Sequence, residues 1–146
     1  MQIVVKRIIE APVDVVFATV SDVREFRKAL PHVVDVEFLT DSQVGVGTRF
    51  REKRLMNGRE AVTELEVTEY EKNARARLVA DSHGTIWDTT FVTAANDDTT
   101  HLTMTMDANS RRFLPRIMNW VFKSMIAKAV AHDMDLVKKH CEGQKS

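Results

Sequence analysis

The chain has 146 residues, with 21 basic and 21 acidic side chains and a formal net charge of zero. This length fits one domain over residues 1–146, and the balanced charge gives no electrostatic basis for binding nucleic acid. A single cysteine, Cys141, excludes an internal disulfide and a cysteine-rich metal site. No signal-peptide core and no membrane-length apolar segment are visible, so a cytoplasmic protein is expected.

The first 31 residues predict one strand followed by two short helices. Residues 2–10 are rich in Ile and Val, which is typical of a strand. Pro12 and Asp14 mark a helix start, because proline needs no amide partner there and an acidic side chain complements the exposed amides. Residues 21–22 can cap a second helix, which Pro31 ends. The two helices are expected to form a V-shaped bracket.

The middle of the chain, residues 33–108, predicts six strands. Apolar and polar residues alternate there, and the connections are short, including Asn57-Gly58, a strong two-residue hairpin signal. Short connections imply antiparallel neighbours. A long helix over residues 112–141 follows, with a length of about 45 Å. The order β-α-α-β6-α predicts an α+β fold in which a curved antiparallel sheet surrounds the C-terminal helix and leaves a pocket between them.

Alternation along each strand predicts which side chains face that pocket. On the second strand the inner set is Val34, Val36 and Phe38. On the helix, one stripe runs through Leu114, Met118, Phe122, Met125, Ala129, His132 and Leu136. The predicted apolar walls are Phe50, Leu65, Trp87, Phe91, Met104, Met118, Phe122 and Met125, with the hydroxyls of Thr63 and Thr89 beside them.

Three polar residues lie on the predicted inner face. Glu52 and Arg54 share their strand face with Phe50, and an unpaired charge in an apolar interior costs several kcal/mol. Either the two charges pair inside a wet cavity, or a bulge turns them to solvent. His132 is either a core histidine held by a polar partner or a proton donor and acceptor at the pocket floor. Arg54, Glu52 and His132 are thus the candidates for orienting a polar group of a ligand.

The sequence lacks the motifs of metal and covalent catalysis. There is no His-Glu-x-x-His, no spaced Cys/His cluster and no Gly-x-Ser-x-Gly elbow, so neither a metal, another cofactor nor acyl-enzyme chemistry is expected. Residues 45–48 superficially suggest a phosphate loop. They lack the P-loop lysine and precede a strand, which favours a flexible hairpin.

Four segments together resemble a known family. They are residues 9–17, the break at 21–22, the loop at 44–48 and the terminal run 133–139, and in order and spacing they are similar to the START-related (SRPBCC) superfamily, in its polyketide cyclase/dehydrase-like branch. The resemblance covers nearly the whole chain and implies a helix-grip fold around a hydrophobic cavity. Many relatives have a tryptophan just after the second short helix, where this chain has Leu30-Pro31-His32.

The resemblance implies binding of lipids, polyketides or other apolar small molecules, since most members bind ligands and a minority are enzymes. We therefore expect a small-molecule binding or carrier domain rather than a catalyst. The alternative is an aromatase/cyclase-type enzyme in which Glu52, Arg54 or His132 shuttles protons in the same cavity. A third reading is an interaction module, in which Phe113, Ile117 and Trp120 form an apolar patch for transient membrane contact or homodimerisation.

Overall fold

A computed structural model of the chain describes residues 1–82, 84–110 and 116–144, without the side chains of residues 110 and 116–119. The elements are β1 (Gln2–Ile9), α1 (Val13–Ser21), α2 (Val23–Ala29), β2 (Val33–Phe38), β3 (Arg49–Met56), β4 (Arg59–Glu71), β5 (Arg75–Ser82), β6 (Thr85–Asn96), β7 (Thr99–Ser110) and α3 (Arg116–Gln144). The predicted order of one strand, two helices, six strands and a long helix is confirmed.

The strands form one seven-stranded antiparallel sheet in the order β1-β7-β6-β5-β4-β3-β2. The six strands after α2 pair as a meander, and the N-terminal strand β1 joins its far edge against β7. Asn57 and Gly58 connect β3 to β4 with φ angles of 52° and 76°. Two successive positive φ values are what the tight hairpin turn requires, which explains this residue pair.

The two faces of the sheet differ sharply in chemistry. On the inner face, Phe50, Leu65, Ala80 and Trp87 lie side by side across β3, β4, β5 and β6. On the outer face, Arg51 lies within 4 Å of glutamates on both neighbouring strands. Cross-strand ion pairs of this kind account for the basic stretch at the start of β3, which is a solvated strand face.

A bulge changes the predicted inner set of β2. The pairing of β2 with β3 shifts register between Val33 and Asp35. Val33 is therefore buried, whereas Val34 is 39% exposed. The predicted inward orientation of Val34 was wrong, because the extra residue in the strand reverses the alternation on one side of the bulge.

The helix α3 packs against β1, α1 and α2 through its C-terminal half. Its buried apolar stripe consists of Val130, Met134, Val137 and Cys141. The stripe predicted from sequence was displaced by one residue, which is about 100° around a helix. Steps of three and four fit several faces of α3 because its N-terminal half is apolar over more than one face.

Residues 120–125 form an exposed segment of α3. All six are exposed, including Trp120 at 72% and Met125 at 57%. Six consecutive residues cover more than a full helical turn, so the exposure is not confined to one side of the helix. No helix among the described residues is both long enough and apolar enough to cross a lipid bilayer.

Candidate functional site

A cavity of about 330 Å³ lies between the inner face of the sheet, the corner where α1 meets α2, and α3. Its volume is at the lower end of the range for small-molecule sites. Most of the wall is apolar. The side chains around it are Val20, Ser21, Val23, Phe26, Phe50, Glu52, Arg54, Thr63, Leu65, Leu78, Ala80, Ser82, Trp87, Thr89, Phe91, Met104, Met106, Val130, Asp133 and Met134.

The polar part of the wall is an ion-pair cluster that joins β3 to α3. Nε of Arg54 donates a hydrogen bond to Glu52, and Nη1 donates to Oδ2 of Asp133 at 2.8 Å. The other carboxylate oxygen of Asp133 lies 3.2 Å from Nε2 of His32. We call these four residues the Arg54 cluster. It resolves the orientation of Glu52 and Arg54, which face the cavity rather than the solvent.

Burial and charge have opposite effects on Arg54. Burial alone would lower the pKa of Arg54, but the charges of Glu52 and Asp133 and their hydrogen bonds outweigh it and raise the pKa above its ordinary value. The guanidinium is therefore charged throughout the physiological range. Glu52 and Asp133 are only 8% and 7% exposed, so both carboxylates depend on this one cation for compensation.

Several hydrogen-bonding groups around the cavity have no partner within the described residues. They include Nη2 of Arg54, the indole N–H of Trp87 and the hydroxyls of Ser21, Thr63, Ser82 and Thr89. Antiparallel pairing aligns Glu52 with Thr63, so that hydroxyl lies next to the cluster. These groups can form hydrogen bonds with a bound molecule without breaking existing ones.

The structure brings together seven of the predicted site residues around the cavity: Phe50, Glu52, Arg54, Leu65, Trp87, Phe91 and Met104. Their placement follows from strand alternation. Phe122, Met125 and His132 were expected on the wall, but the structure places all three at the exposed surface, away from the cavity. The one-residue displacement of the helical stripe accounts for this correction. The side chain of Met118 lies outside the described residues.

The sequence prediction named other residues of α3 for the wall and none from α2. Val130 was expected beside the predicted stripe and does line the cavity, but Asp133 and Met134 of α3 were not predicted, and neither was Phe26 of α2, whose ring packs edge-on against Phe91. A signal for Asp133 was present. Val130 and Val137 are seven residues apart on one helical face, and Asp133 lies between them on that face, where an acidic side chain needs a buried cation.

The described residues offer no group of three or more His, Cys, Asp or Glu side chains arranged to hold a metal ion. Cys141 is fully buried, and its Sγ donates to Oγ1 of Thr19 at 3.4 Å. Burial raises the pKa of the Cys141 thiol, which disfavours the nucleophilic thiolate. The chemistry available at the cavity is therefore hydrogen bonding, ion pairing and proton transfer.

Similar solved structures share this architecture. A protein named TTHA0849 from Thermus thermophilus matches with a TM-score of 0.80 and 16% identity over 100% of both chains. A START superfamily protein from Mycobacterium smegmatis has a TM-score of 0.72 and 15% identity, over 98% of this chain and 95% of that one. The aromatase/cyclase ZhuI from Streptomyces sp. R1128 has a TM-score of 0.79 and 15% identity, over 97% and 93%. These likenesses confirm the predicted helix-grip fold.

A family model provides the assignment. No curated protein matches the chain. The model described as "Polyketide cyclase / dehydrase and lipid transport" matches residues 1–142, which is nearly the whole chain. The polyketide cyclase/dehydrase resemblance inferred from the sequence is thus confirmed, and the chain belongs to the polyketide cyclase/dehydrase and lipid transport family.

Proposed function

We propose that the protein binds a small apolar molecule in the cavity between the sheet and α3. The observation that supports this most is the composition of the wall, in which aromatic and aliphatic side chains surround one localised polar cluster. Binding sites for small molecules usually have this composition, since apolar contacts supply affinity and a few polar groups fix orientation. Membership of a family that includes lipid transport is consistent with it.

A cavity-filling variant tests the proposal. Ala80 is 3% exposed and lines the cavity, so Ala80→Leu places three additional carbon atoms in that space. Val79→Leu is the matched control, because Val79 is the preceding residue of β5 and faces the outer side of the sheet. The readout is a fluorescence titration with the neutral apolar probe N-phenyl-1-naphthylamine.

Wild type and Val79→Leu should bind the probe with the same affinity, and Ala80→Leu should bind it at least about tenfold more weakly. An Ala80→Leu protein that folds normally and binds the probe like wild type would refute the cavity as the binding site. Native mass spectrometry of protein from its own cells should also reveal a retained small molecule.

A second candidate function is an aromatase/cyclase-type enzyme that uses the same cavity. The Arg54 cluster favours it, because a histidine next to a carboxylate is a common arrangement for proton transfer. Of the predicted proton carriers Glu52, Arg54 and His132, the last is exposed, and His32 is instead the histidine that lies next to the cavity wall. Mass spectrometry of the retained molecule after incubation with wild type and Glu52→Gln tests this. A molecule that neither protein converts would exclude catalysis on that ligand.

We further infer that the exposed segment 120–125 contacts an anionic membrane surface during ligand exchange. Trp120, Val121, Phe122 and Met125 are all exposed there. Residues 108–132 contain five basic residues and no acidic one, although the chain as a whole is neutral. Apolar and aromatic side chains beside basic residues are the combination that binds anionic bilayers. Of the predicted patch, Phe113 and the side chain of Ile117 lie outside the described residues.

Vesicle co-sedimentation tests this contact. The protein should sediment with vesicles containing phosphatidylserine and less with pure phosphatidylcholine, and Trp120→Ala should reduce the bound fraction. Val62→Ala is the control, because Val62 is an exposed apolar residue of the sheet, on β4. A stable dimer in light scattering that Trp120→Ala dissociates would instead assign the segment to self-association.

A further inference from the structure

The charge of the Arg54 cluster restricts which ligands the proposed cavity can accept. Glu52 and Asp133 contribute two negative charges, and Arg54 contributes one positive charge. Together, these three residues of the cluster therefore carry one net negative charge. It lies at the wall of a small, largely apolar cavity, where charge is screened less than at an open surface. A ligand group near the cluster experiences that excess charge.

The hydrogen-bonding groups left unused around the cluster suit an uncharged partner. Nη2 of Arg54 can donate to a carbonyl or hydroxyl oxygen. The second carboxylate oxygen of Glu52 and the hydroxyl of Thr63 can accept from a hydroxyl or amide group. A ligand carboxylate would meet the same Nη2, but Arg54 is already paired with two protein carboxylates. The ligand carboxylate would have to displace one of these protein carboxylates or add a third negative charge beside a single guanidinium.

We propose that the cavity selects apolar molecules with an uncharged oxygen-containing end, such as an alcohol, ketone or amide, and discriminates against free carboxylic acids, including fatty acids. This rests on the proposed binding function and specifies the class of its ligand. The Arg54 cluster determines the selection, and the apolar walls determine affinity. Arg54 is on this view a neutralised donor rather than an anion receptor.

A matched pair of ligands tests the selection. 2-Naphthamide and 2-naphthoate have the same shape and the same number of non-hydrogen atoms, and they differ by one negative charge. Each is titrated at pH 8 against protein that holds N-phenyl-1-naphthylamine. In wild type, 2-naphthoate should displace the probe at least about tenfold more weakly than 2-naphthamide, as expected for one charge near another in a partly screened site.

Removal of one carboxylate should weaken the discrimination. Asp133→Asn removes the excess negative charge, so the ratio of the two affinities should fall severalfold, toward the value that desolvation of the ligand carboxylate alone produces. Asp135→Asn removes the same charge two residues further along α3, where Asp135 pairs with Arg7 at the surface, and should leave the ratio unchanged. If Asp133→Asn does not fold, Glu52→Gln provides the same test. The ratio of the two affinities in wild type tests the proposal without either variant.

The outcomes separate the two proposals. Equal displacement by both compounds in wild type, or no displacement by either while the probe binds, would overturn the selection and leave apolar binding intact. A ratio that persists in folded Asp133→Asn would also overturn it, since the discrimination would then have another source. If neither the probe nor 2-naphthamide binds at all, the binding function itself is refuted.

Discussion

Replacement of Arg54 by methionine is expected to destabilise the protein strongly, although the residue is not part of the apolar core. Methionine retains much of the apolar length of the side chain and removes the charge. Glu52 and Asp133, whose side chains are each about 10% exposed, would then be two buried carboxylates without a cation. Removing one partner of a buried ion pair typically costs about 3–5 kcal/mol. We expect about 3 kcal/mol, the lower end of that range, since 26% exposure of the Arg54 side chain shows that solvent reaches the cluster.

The assay is equilibrium unfolding in urea, with the free energy of unfolding obtained by linear extrapolation. Arg51→Met is the matched control, because it makes the same change three residues earlier on the same strand, at a side chain that is 49% exposed. Arg51 lies 3.7 Å from Glu37 and 3.9 Å from Glu64. Exposed pairs contribute about 0–1 kcal/mol. If the two variants lose the same stability, the Arg54 cluster is hydrated like a surface pair, and the buried-charge argument fails.

Three further predictions concern stability and reactivity. Met134→Ala, at a residue that is 2% exposed, should lower the free energy of unfolding by about 2 kcal/mol, which is at the low end for core truncations because the side chain already borders the cavity. Met125→Ala, at an exposed residue of the same helix, should change the free energy of unfolding by less than about 0.5 kcal/mol. Equal losses in the two variants would contradict the position of the buried stripe. Hydrogen bonds from Arg77 hold the pKa of Asp88 below its ordinary value of 3.8. The pair therefore stabilises the fold above that value. The difference in melting temperature between wild type and Asp88→Asn should be largest near neutral pH and should disappear as the pH falls through the lowered pKa. A difference that grows in acid would contradict this sign. Since burial raises the pKa of the Cys141 thiol, Ellman's reagent should label Cys141 at pH 8 only after unfolding in urea, and rapid labelling of the native protein would show that the thiol is accessible.

The strands and their inner faces could be predicted from the sequence because their signal is local. A period of two assigns each side chain of a strand to one face, and turn residues such as Asn57-Gly58 mark where one strand ends and the next begins. Phe50, Leu65 and Phe91 were accordingly placed on the correct face. The error at Val34 arose at a bulge, which alternation alone does not reveal.

The long helix was predicted correctly as an element but incorrectly in its orientation. Its N-terminal half has apolar residues on more than one face, so spacing does not determine which side faces the sheet. Burial of Val130 and Val137, and exposure of Met125 and His132, depend on contacts with β1, α1 and α2. Those contacts join segments from opposite ends of the chain.

By itself, the sequence determined the order of elements, the antiparallel meander and the family. It also placed Glu52 and Arg54 on the same strand face as Phe50. Only the tertiary structure decided what surrounds that pair. Asp133 is 79 residues from Arg54 in the chain, and His32 is 22 residues away, yet both reach the same guanidinium. Periodicity describes one element at a time, whereas a cavity and its charge arise where separate elements meet, so the site depends on how α3 packs against the sheet and the two short helices.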